Sequence, residues 1–288
     1  MTPFVTRFAP SPTGLLHLGH AFSALTASDM AAEAGGEFLL RIEDLDAARC
    51  RPEHEAAIYE DLTWLGLTWP EPILRQSTVT PRYDAALARL AEAGLVYPCR
   101  CTRADIRAAM AAPQEGADPP EVYPGTCRAR PMSERSDADA IRLDMNAALE
   151  SLGEKRFFFR EIGPAHEGTH PVDPAAMRTE IGDVVLARRD IGAAAYHLAV
   201  VVDDAAQGVT HVVRGDDLWE ATPLHRLLQA LLGLPMPVWH HHRLIRDETG
   251  RRLAKRDDSR AIRVYREAGA TPAEIRRMAG LAPRAPSA

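Results

Sequence analysis

Lysine is almost absent from this 288-residue chain: of its 34 basic residues only Lys155 and Lys255 are lysines, and the other 32 are arginines. A compact ammonium and a planar guanidinium are not interchangeable at a phosphate, so Lys255, which lies in a basic cluster, is a candidate phosphate contact. Acidic residues outnumber basic ones, 40 to 34, so the formal net charge is -6. Because proteins that bind nucleic acid over a wide surface are usually basic, an RNA partner would require a local arginine patch.

Long apolar runs are missing as well. No stretch approaches the roughly 18 residues of a membrane span, and the N-terminus lacks the basic start and apolar stretch of a secretory signal. Four cysteines at uneven spacing do not form a disulfide framework. The remaining composition, 46% hydrophobic and 26% charged, is that of an ordinary globular protein. We therefore expect a cytoplasmic protein with no membrane partner.

Periodicity predicts two similar strand–helix–strand units, one near each end of the chain. The predicted segments are 4–9, 18–33 and 37–42 in the first unit and 209–214, 217–232 and 238–245 in the second. Each unit implies parallel strands joined by a right-handed crossover. Together they predict an α/β protein with a doubly wound, parallel, Rossmann-type nucleotide-binding core.

The residues between the two units do not continue the alternation of strand and helix, and they include three of the four cysteines. We expect the first half of the core in residues 1–95, an insertion in 96–191, the second half in 192–250, and a basic loop with a short helical tail in 251–288.

The segment PSPTGLLHLGH, residues 10–20, leaves the first predicted strand and enters the first predicted helix. A helix N-terminus offers unpaired N–H groups and a positive dipole end, which favour phosphate. Glycine permits close backbone approach, and imidazoles can donate to phosphate oxygens as negative charge builds. The alternative is a capped turn with two incidental surface histidines.

The segment RDETGRRLAKR, residues 246–256, follows the last predicted core strand, at the ligand-binding edge of such a sheet. Lys255 within it could neutralise a pyrophosphate leaving group. The alternative for an isolated basic cluster is a solvated surface.

Three cysteines form the pattern Cys99-x-Cys101 … Cys127, with Tyr123 four residues before the last. Thiolates bind zinc tetrahedrally, and this set lacks one ligand. The alternative is a strand with alternating cysteines, one of them buried. Cys50 stands apart as an ordinary small residue, and the neighbouring histidines at 240–242 would face opposite sides of a strand.

These motifs resemble those of class I aminoacyl-tRNA synthetases. The sequence HLGH at 17–20 resembles the HIGH signature within the longer P-S-P-T-G-x-L-H-x-G-H form of glutamyl and glutaminyl enzymes, and RLAKR at 252–256 resembles a degenerate KMSKS signature that keeps its fourth residue, Lys255. The resemblance implies catalysis by His17, His20 and Lys255, with Mg²⁺ accompanying ATP. The ATP-binding residues that it implies are Pro10, Gly14, His17, Gly19, His20, Arg252 and Lys255.

Further resemblance points to glutamate. The segment RIEDLD at 41–46 is similar to the family's R-I-E-D-T-D, which implies that Glu43 lies near the substrate's amino group, and residues 196–219 closely resemble the glutamyl-tRNA synthetase core. Two guanidinium groups could hold the substrate's side-chain carboxylate and reject glutamine. The glutamate-binding residues expected are Arg7, Phe8, Ala9, Pro10, Ser11, Glu43, Tyr196 and Arg214. A C-x-C … Y-x-x-x-C site occurs in the relevant subfamily, which implies one structural zinc on Cys99, Cys101, Tyr123 and Cys127.

A full glutamyl-tRNA synthetase continues into an anticodon-binding domain, whereas this sequence ends 32 residues after Arg256. It thus resembles the truncated glutamyl-Q tRNA(Asp) synthetases, which implies glutamate activation without tRNA and transfer to the queuosine base. The expected partners are ATP, L-glutamate and the anticodon arm of tRNA(Asp), bound by a monomer. The alternatives are a minimal glutamyl-tRNA synthetase charging a tRNA 3′ end, a non-catalytic tRNA-binding paralogue, or a nucleotidyltransferase that makes a small-molecule adenylate.

Overall fold

The computed structural model describes residues 3–102, 104–106, 122–153, 157–245 and 261–283. The strands are β1 (Val5–Phe8), β2 (Glu37–Ile42), β3 (Leu74–Arg75), β4 (Val96–Cys99), β5 (Ala140–Leu143), β6 (Phe158–Glu161), β7 (Gly168–Pro171), β8 (Val185–Arg188), β9 (Ala193–Ala194), β10 (His211–Gly215) and β11 (Val238–His242). The helices are α1 (Leu18–Glu33), α2 (Pro52–Trp64), α3 (Thr80–Glu92), α4 (Met145–Ser151), α5 (Pro174–Ala176, continued by a π-helical turn, Met177–Ile181), α6 (Tyr196–Ala206), α7 (Thr222–Leu232), α8 (Ile262–Glu267) and α9 (Pro272–Met278).

Both predicted strand–helix–strand units are present, and the Rossmann-type α/β core predicted from the sequence is confirmed. In the first unit β1, α1 and β2 follow one another, and β1 pairs with β2 in parallel, with Val5 opposite Glu37. In the second, β10 and β11 flank α7 and pair in parallel, with Arg214 opposite His241. The second helix begins later than predicted, because residues Asp216–Ala221 form a 3₁₀ turn before α7. Pro223 fits only the first turn of an α-helix, where its missing N–H needs no partner.

The two parallel sheets meet between β1 and β10. At the start of both strands the N–H of Val5 donates to Thr210 Oγ1 (2.8 Å), and the N–H of Thr210 donates to the carbonyl of Val5 (3.0 Å). The parallel strands therefore follow one another in the order β3, β2, β1, β10, β11, β6. The chain runs outward in both directions from β1 and β10, so a topological switch point lies between them. In open α/β sheets, ligands bind outside the carboxyl ends of the strands at such a point.

Residues of the range 96–191 contribute to two sheets. Strands β4, β5, β8 and β9 form an antiparallel sheet, whereas β6 pairs in parallel with β11 and carries the antiparallel strand β7. Phe159 on β6 is buried, and its ring packs edge-on against Trp239 on β11 with 5.7 Å between ring centroids. This aromatic contact holds β6 against the core sheet. Among the described helices, none combines the length and the apolar character needed to cross a membrane.

Candidate active site

A cavity of about 450 Å³ opens at the carboxyl ends of β1, β10 and β11, at the switch point of the sheet. Eleven of the residues predicted to bind ATP or glutamate line it, namely Arg7, Phe8, Ala9, Pro10, Ser11, His17, Gly19, His20, Glu43, Tyr196 and Arg214. Gly14 belongs to the same turn but is not among the lining residues. The other lining residues include Ser23, Asp217, Leu218, His242 and Arg243. The two halves of the chain thus contribute to one cavity.

The two histidines of the 10–20 segment form the N-terminus of α1. His17 caps the helix: its Nδ1 accepts from the N–H of Gly19 (3.1 Å), and its own N–H donates to Nδ1 of His20 (3.2 Å). The rings stack with 3.8 Å between centroids. Because both Nδ1 atoms accept, the neutral rings carry their protons on Nε2. A Cβ atom on Gly19 would lie 3.0 Å from the His17 ring, so glycine allows this close packing. The turn therefore presents two imidazole donors beside a helix N-terminus, a combination suited to phosphate.

Arg252 and Lys255 lie outside the described residues, but the residues flanking their segment are informative. Ile245, at one end, lines the cavity. At the other end Ala261 pairs with His17 in an isolated bridge, and the N–H of Ile262 donates to the carbonyl of Leu16 (2.8 Å). The described residues on either side of this segment, Ile245 and Ala261, therefore both lie beside the cavity.

Arg7 projects from β1 and is held by a carboxylate. Its Nε and Nη2 donate to the two oxygens of Asp204 (3.0 and 3.3 Å), and its Nη1 donates to the carbonyl of Val213 (3.2 Å). Asp204 also accepts from Nη1 of Arg41 (2.7 Å). Although burial alone would raise it, the guanidinium groups of Arg7 and Arg41 hold the pKa of Asp204 below its ordinary value. One carboxylate thus orients two buried arginines.

Glu43 follows β2 and places a carboxylate on the cavity wall. It accepts from Nη2 of Arg41 (3.2 Å). Burial raises the pKa of Glu43, against the opposing effect of Arg41 and Arg7. A partly buried carboxylate of this kind is stabilised when a cationic group, such as a substrate ammonium, binds beside it.

Arg214 projects from β10, and its partners are uncharged. Its Nε donates to Nε2 of His241 (3.0 Å), its Nη1 to Nδ1 of His225 (2.9 Å), and its Nη2 to Thr222 Oγ1 (2.8 Å) and the carbonyl of Leu218 (3.1 Å). The side chain is 4% exposed, and within the described part of the chain no carboxylate lies at ion-pair distance from it. Burial lowers the pKa of Arg214 accordingly. A buried charge without a counterion is unfavourable, so this cation favours an anion in the cavity.

The predicted zinc ligands converge at a second place, on and after β4. The sulfur atoms of Cys99, Cys101 and Cys127 all lie within 4.8 Å of one another. The hydroxyl of Tyr123 lies 3.3 Å from Sγ of Cys99 and 3.4 Å from Sγ of Cys101. Burial raises the pKa of Cys101 to about 11. For Cys127 burial acts the same way, but hydrogen bonds, the first from a backbone N–H at Arg100, bring the pKa to about 7. The four predicted side chains therefore form one compact donor set.

Sequence reasoning missed the residues that hold the two cavity arginines. Asp204 closely follows the apolar run 198–202 of α6, and His225 lies in an amphipathic helix, so a polar residue next to apolar ones was the available signal. His241 was judged only as part of a histidine run, yet it lies opposite Arg214 in the β10–β11 register. That register follows from tertiary pairing, which no local pattern reveals.

A Rossmann-type core with paired histidines at the first βα turn and an arginine on each side of the switch point defines the catalytic domain of a class I aminoacyl-tRNA synthetase. Over residues 3–284 the sequence matches the family described as tRNA synthetases class I (E and Q), catalytic domain. It is 58% identical over 283 residues to a glutamyl-Q tRNA(Asp) synthetase of Rhodobacter capsulatus, covering 96% of this chain and 100% of the relative. It is 44% identical over 286 residues to that of Nocardia farcinica, covering 97% and 86%. The chain therefore belongs to the glutamyl-Q tRNA(Asp) synthetase family, and the prediction of a ligase of the aminoacyl-tRNA synthetase class is confirmed.

Solved structures agree with this assignment. A glutamate-tRNA synthetase from Elizabethkingia anophelis matches with a TM-score of 0.76 and 27% identity, covering 96% of this chain and 61% of that one. A glutamate tRNA ligase from Elizabethkingia meningosepticum, in complex with its amino acid, matches with a TM-score of 0.75 and 28% identity, covering 96% and 60%. This chain thus spans less than two thirds of the length of those two synthetases.

Proposed function

We propose that this protein activates L-glutamate with ATP in the absence of tRNA and transfers it to the queuosine base in the anticodon of tRNA(Asp). The observation that carries the glutamate assignment is Arg214, a buried guanidinium on the cavity wall whose described partners are all uncharged. Family membership supports the ligase chemistry and the acceptor. The cytoplasmic location and the monomeric state remain predictions.

Glutamate would bind between the two halves of the sheet. Arg214 supplies an uncompensated charge for the side-chain carboxylate, with Arg7 and the hydroxyl of Tyr196 on the same wall. Glu43 receives the ammonium group. A hydrogen bond to a charged group contributes about 1.5–3 kcal/mol and a neutral one about 0.5–1.5 kcal/mol, so each such replacement loses about 1–1.5 kcal/mol, or roughly 5- to 13-fold in affinity. Glutamine would be rejected for this reason.

ATP would place its phosphates at the N-terminus of α1. In the first step an oxygen of the glutamate α-carboxylate attacks the α-phosphorus, the bond from that phosphorus to the bridging oxygen breaks, and pyrophosphate leaves. The Nε2–H groups of His17 and His20 and the helix dipole stabilise the charge on the phosphate oxygens. Lys255 would contact the pyrophosphate, and the Mg²⁺ that accompanies ATP would supply further charge neutralisation there. The chain thus contributes mostly orientation and charge neutralisation.

In the second step a hydroxyl of the queuosine cyclopentene-diol attacks the acyl carbon of glutamyl-adenylate. An ester bond to glutamate forms, the acyl–phosphate bond breaks, and AMP leaves with the hydroxyl proton passing to solvent or phosphate. We propose the anticodon arm of tRNA(Asp) as the RNA partner of this step.

The cysteine cluster fits a structural zinc. Three thiolates and the Tyr123 oxygen supply the four donors of a tetrahedral site. Arg142 donates to Sγ of Cys99 (3.4 Å), and its guanidinium lies 3.9 Å from the centroid of the Tyr123 ring, so a positive charge offsets the excess negative charge of such a site. When bound, the metal would cross-link β4 to the segment around Cys127 and contribute folding free energy.

The adenylation step is tested by ATP–pyrophosphate exchange without RNA. We expect exchange with glutamate and at most a few per cent of that rate with glutamine. Exchange that appears only when tRNA is added would contradict the proposal, and so would equal rates with the two amino acids.

A further inference from the structure

Two histidines from neighbouring helices form a hydrogen-bonded chain that ends on Arg214. His225, on α7, is 3% exposed, and its Nδ1 accepts from Arg214 Nη1 at 2.9 Å. Its Nε2 lies 3.0 Å from Nδ1 of His197, on α6. His197 follows Tyr196 of the cavity wall, so this relay runs from α6 through α7 to the arginine on β10.

Hydrogen-bond chemistry fixes the tautomers of the relay. A guanidinium has five donors and no acceptor, so His225 must present a lone pair at Nδ1 and carry its proton on Nε2. That proton is donated to Nδ1 of His197, which leaves the His197 proton on Nε2. Burial, and then the charge of Arg214, lowers the pKa of His225 well below its ordinary value and that of His197 to about 4. At neutral pH the relay is therefore uncharged.

The other side of Arg214 has a related arrangement. His241 accepts from Arg214 Nε and donates from Nδ1 to Glu161 (2.6 Å). Glu161 also accepts from the backbone N–H groups of Gly163 and His241 (2.5 and 2.9 Å). Its charge is thus satisfied locally, and an imidazole separates it from the guanidinium. Arg7 differs, because a carboxylate, Asp204, contacts it directly.

We propose that His225, oriented by His197, is a specificity-determining positioning residue that holds Arg214 with a neutral acceptor and so leaves its positive charge available to the substrate carboxylate. An aspartate at position 225 would provide the same hydrogen bond but would form an ion pair with Arg214. The inference rests on the proposed glutamate activation, since Arg214 needs an anionic substrate for its charge to matter.

The test compares two substitutions of matched size, His225→Asn and His225→Asp. Either side chain can place an oxygen near the position of Nδ1, and both lose the ring contact with His197, so they differ mainly in charge. In ATP–pyrophosphate exchange we expect the Asp variant to have a KM for glutamate roughly 10- to 100-fold above that of the Asn variant. Its preference for glutamate over glutamine should fall by a similar factor, while the KM for ATP stays within about twofold.

Equal KM values for glutamate in two folded variants would overturn the proposal. If His225→Asp does not fold, the pair His197→Asn and His197→Asp places the charge on the next histidine of the relay. We then expect His197→Asp to have the higher KM for glutamate, by a smaller factor than in the first pair. Equal KM values in that pair would also overturn the proposal. Wild-type protein without glutamate-dependent exchange would instead refute the proposed function, so the two failures are distinguishable.

Discussion

The carboxylate of Asp204 should stabilise the fold by pairing with Arg7 and Arg41 beside the cavity. The substitution Asp204→Asn tests this. Asp204 lies 3.0 Å from Arg7 and 2.7 Å from Arg41, whose side chains are 5% and 0% exposed. The substitution keeps the shape but leaves two buried guanidinium groups without their shared counterion. Breaking a buried ion pair by removing one partner costs about 3–5 kcal/mol. Arg41 retains Glu43 at 3.2 Å, so we expect the lower end, about 3 kcal/mol.

Urea unfolding followed by tryptophan fluorescence measures this loss, with Asp190→Asn as the matched control. Asp190 also pairs with an arginine, Arg188, at 2.5 Å, but its side chain is 59% exposed. Exposed pairs contribute about 1 kcal/mol or less. The reasoning would be refuted if the free energies of unfolding of Asp204→Asn and Asp190→Asn agreed within about 0.5 kcal/mol. The Asp204 variant should also show a raised KM for glutamate, because Arg7 loses its anchor.

Three further predictions concern the ATP side, the cysteines and pH. Lys255→Ala should lower the rate of pyrophosphate exchange by about 100-fold or more while glutamate still protects against thermal unfolding; an unchanged rate would remove Lys255 from the mechanism. Metal analysis should find about one zinc per chain, lost in Cys127→Ser and kept in Cys50→Ser; less than about half a zinc in wild-type protein, with folding unaffected by chelation, would contradict the site. Because the pKa of His197 is lowered from 6.5 to about 4, the unfolded chain binds more protons than the native chain between these pH values. Stability should therefore fall as pH is lowered through this window, by about 1–2 kcal/mol from this group between pH 7.5 and pH 5. His197→Asn should reduce that slope in urea titrations, and an unaltered slope would argue against a neutral, partly buried His197.

Local sequence patterns predicted the elements of the core and the placement of the paired histidines. His17 and His20 could be located from sequence because capping of α1 depends on residues close in the chain. The segments around β1, α1 and β2 alternate with clear periods, so their bounds differ from the prediction by about one residue. The 3₁₀ turn before α7 was missed because apolar spacing alone does not register the effect of Pro223.

The partners of the cavity arginines could not be predicted, because they depend on contacts between distant parts of the chain. Arg7 meets Asp204 across 197 positions, and Arg214 meets His241 across 27. Which buried polar group finds which partner depends on strand register and helix packing. For the same reason the sequence suggested two equivalent guanidinium groups, whereas the structure gives Arg7 a carboxylate and Arg214 neutral imidazoles. That electrostatic difference emerges only from the tertiary structure.

The central claim is transfer of glutamate to queuosine, and the most direct test uses labelled glutamate, ATP and tRNA from two otherwise identical cell lines, one of which cannot make queuosine. We predict labelling of tRNA(Asp) from the queuosine-containing cells alone. Equal labelling from both lines would contradict the account and indicate charging of a tRNA 3′ end, and no labelling from either would indicate a non-catalytic paralogue.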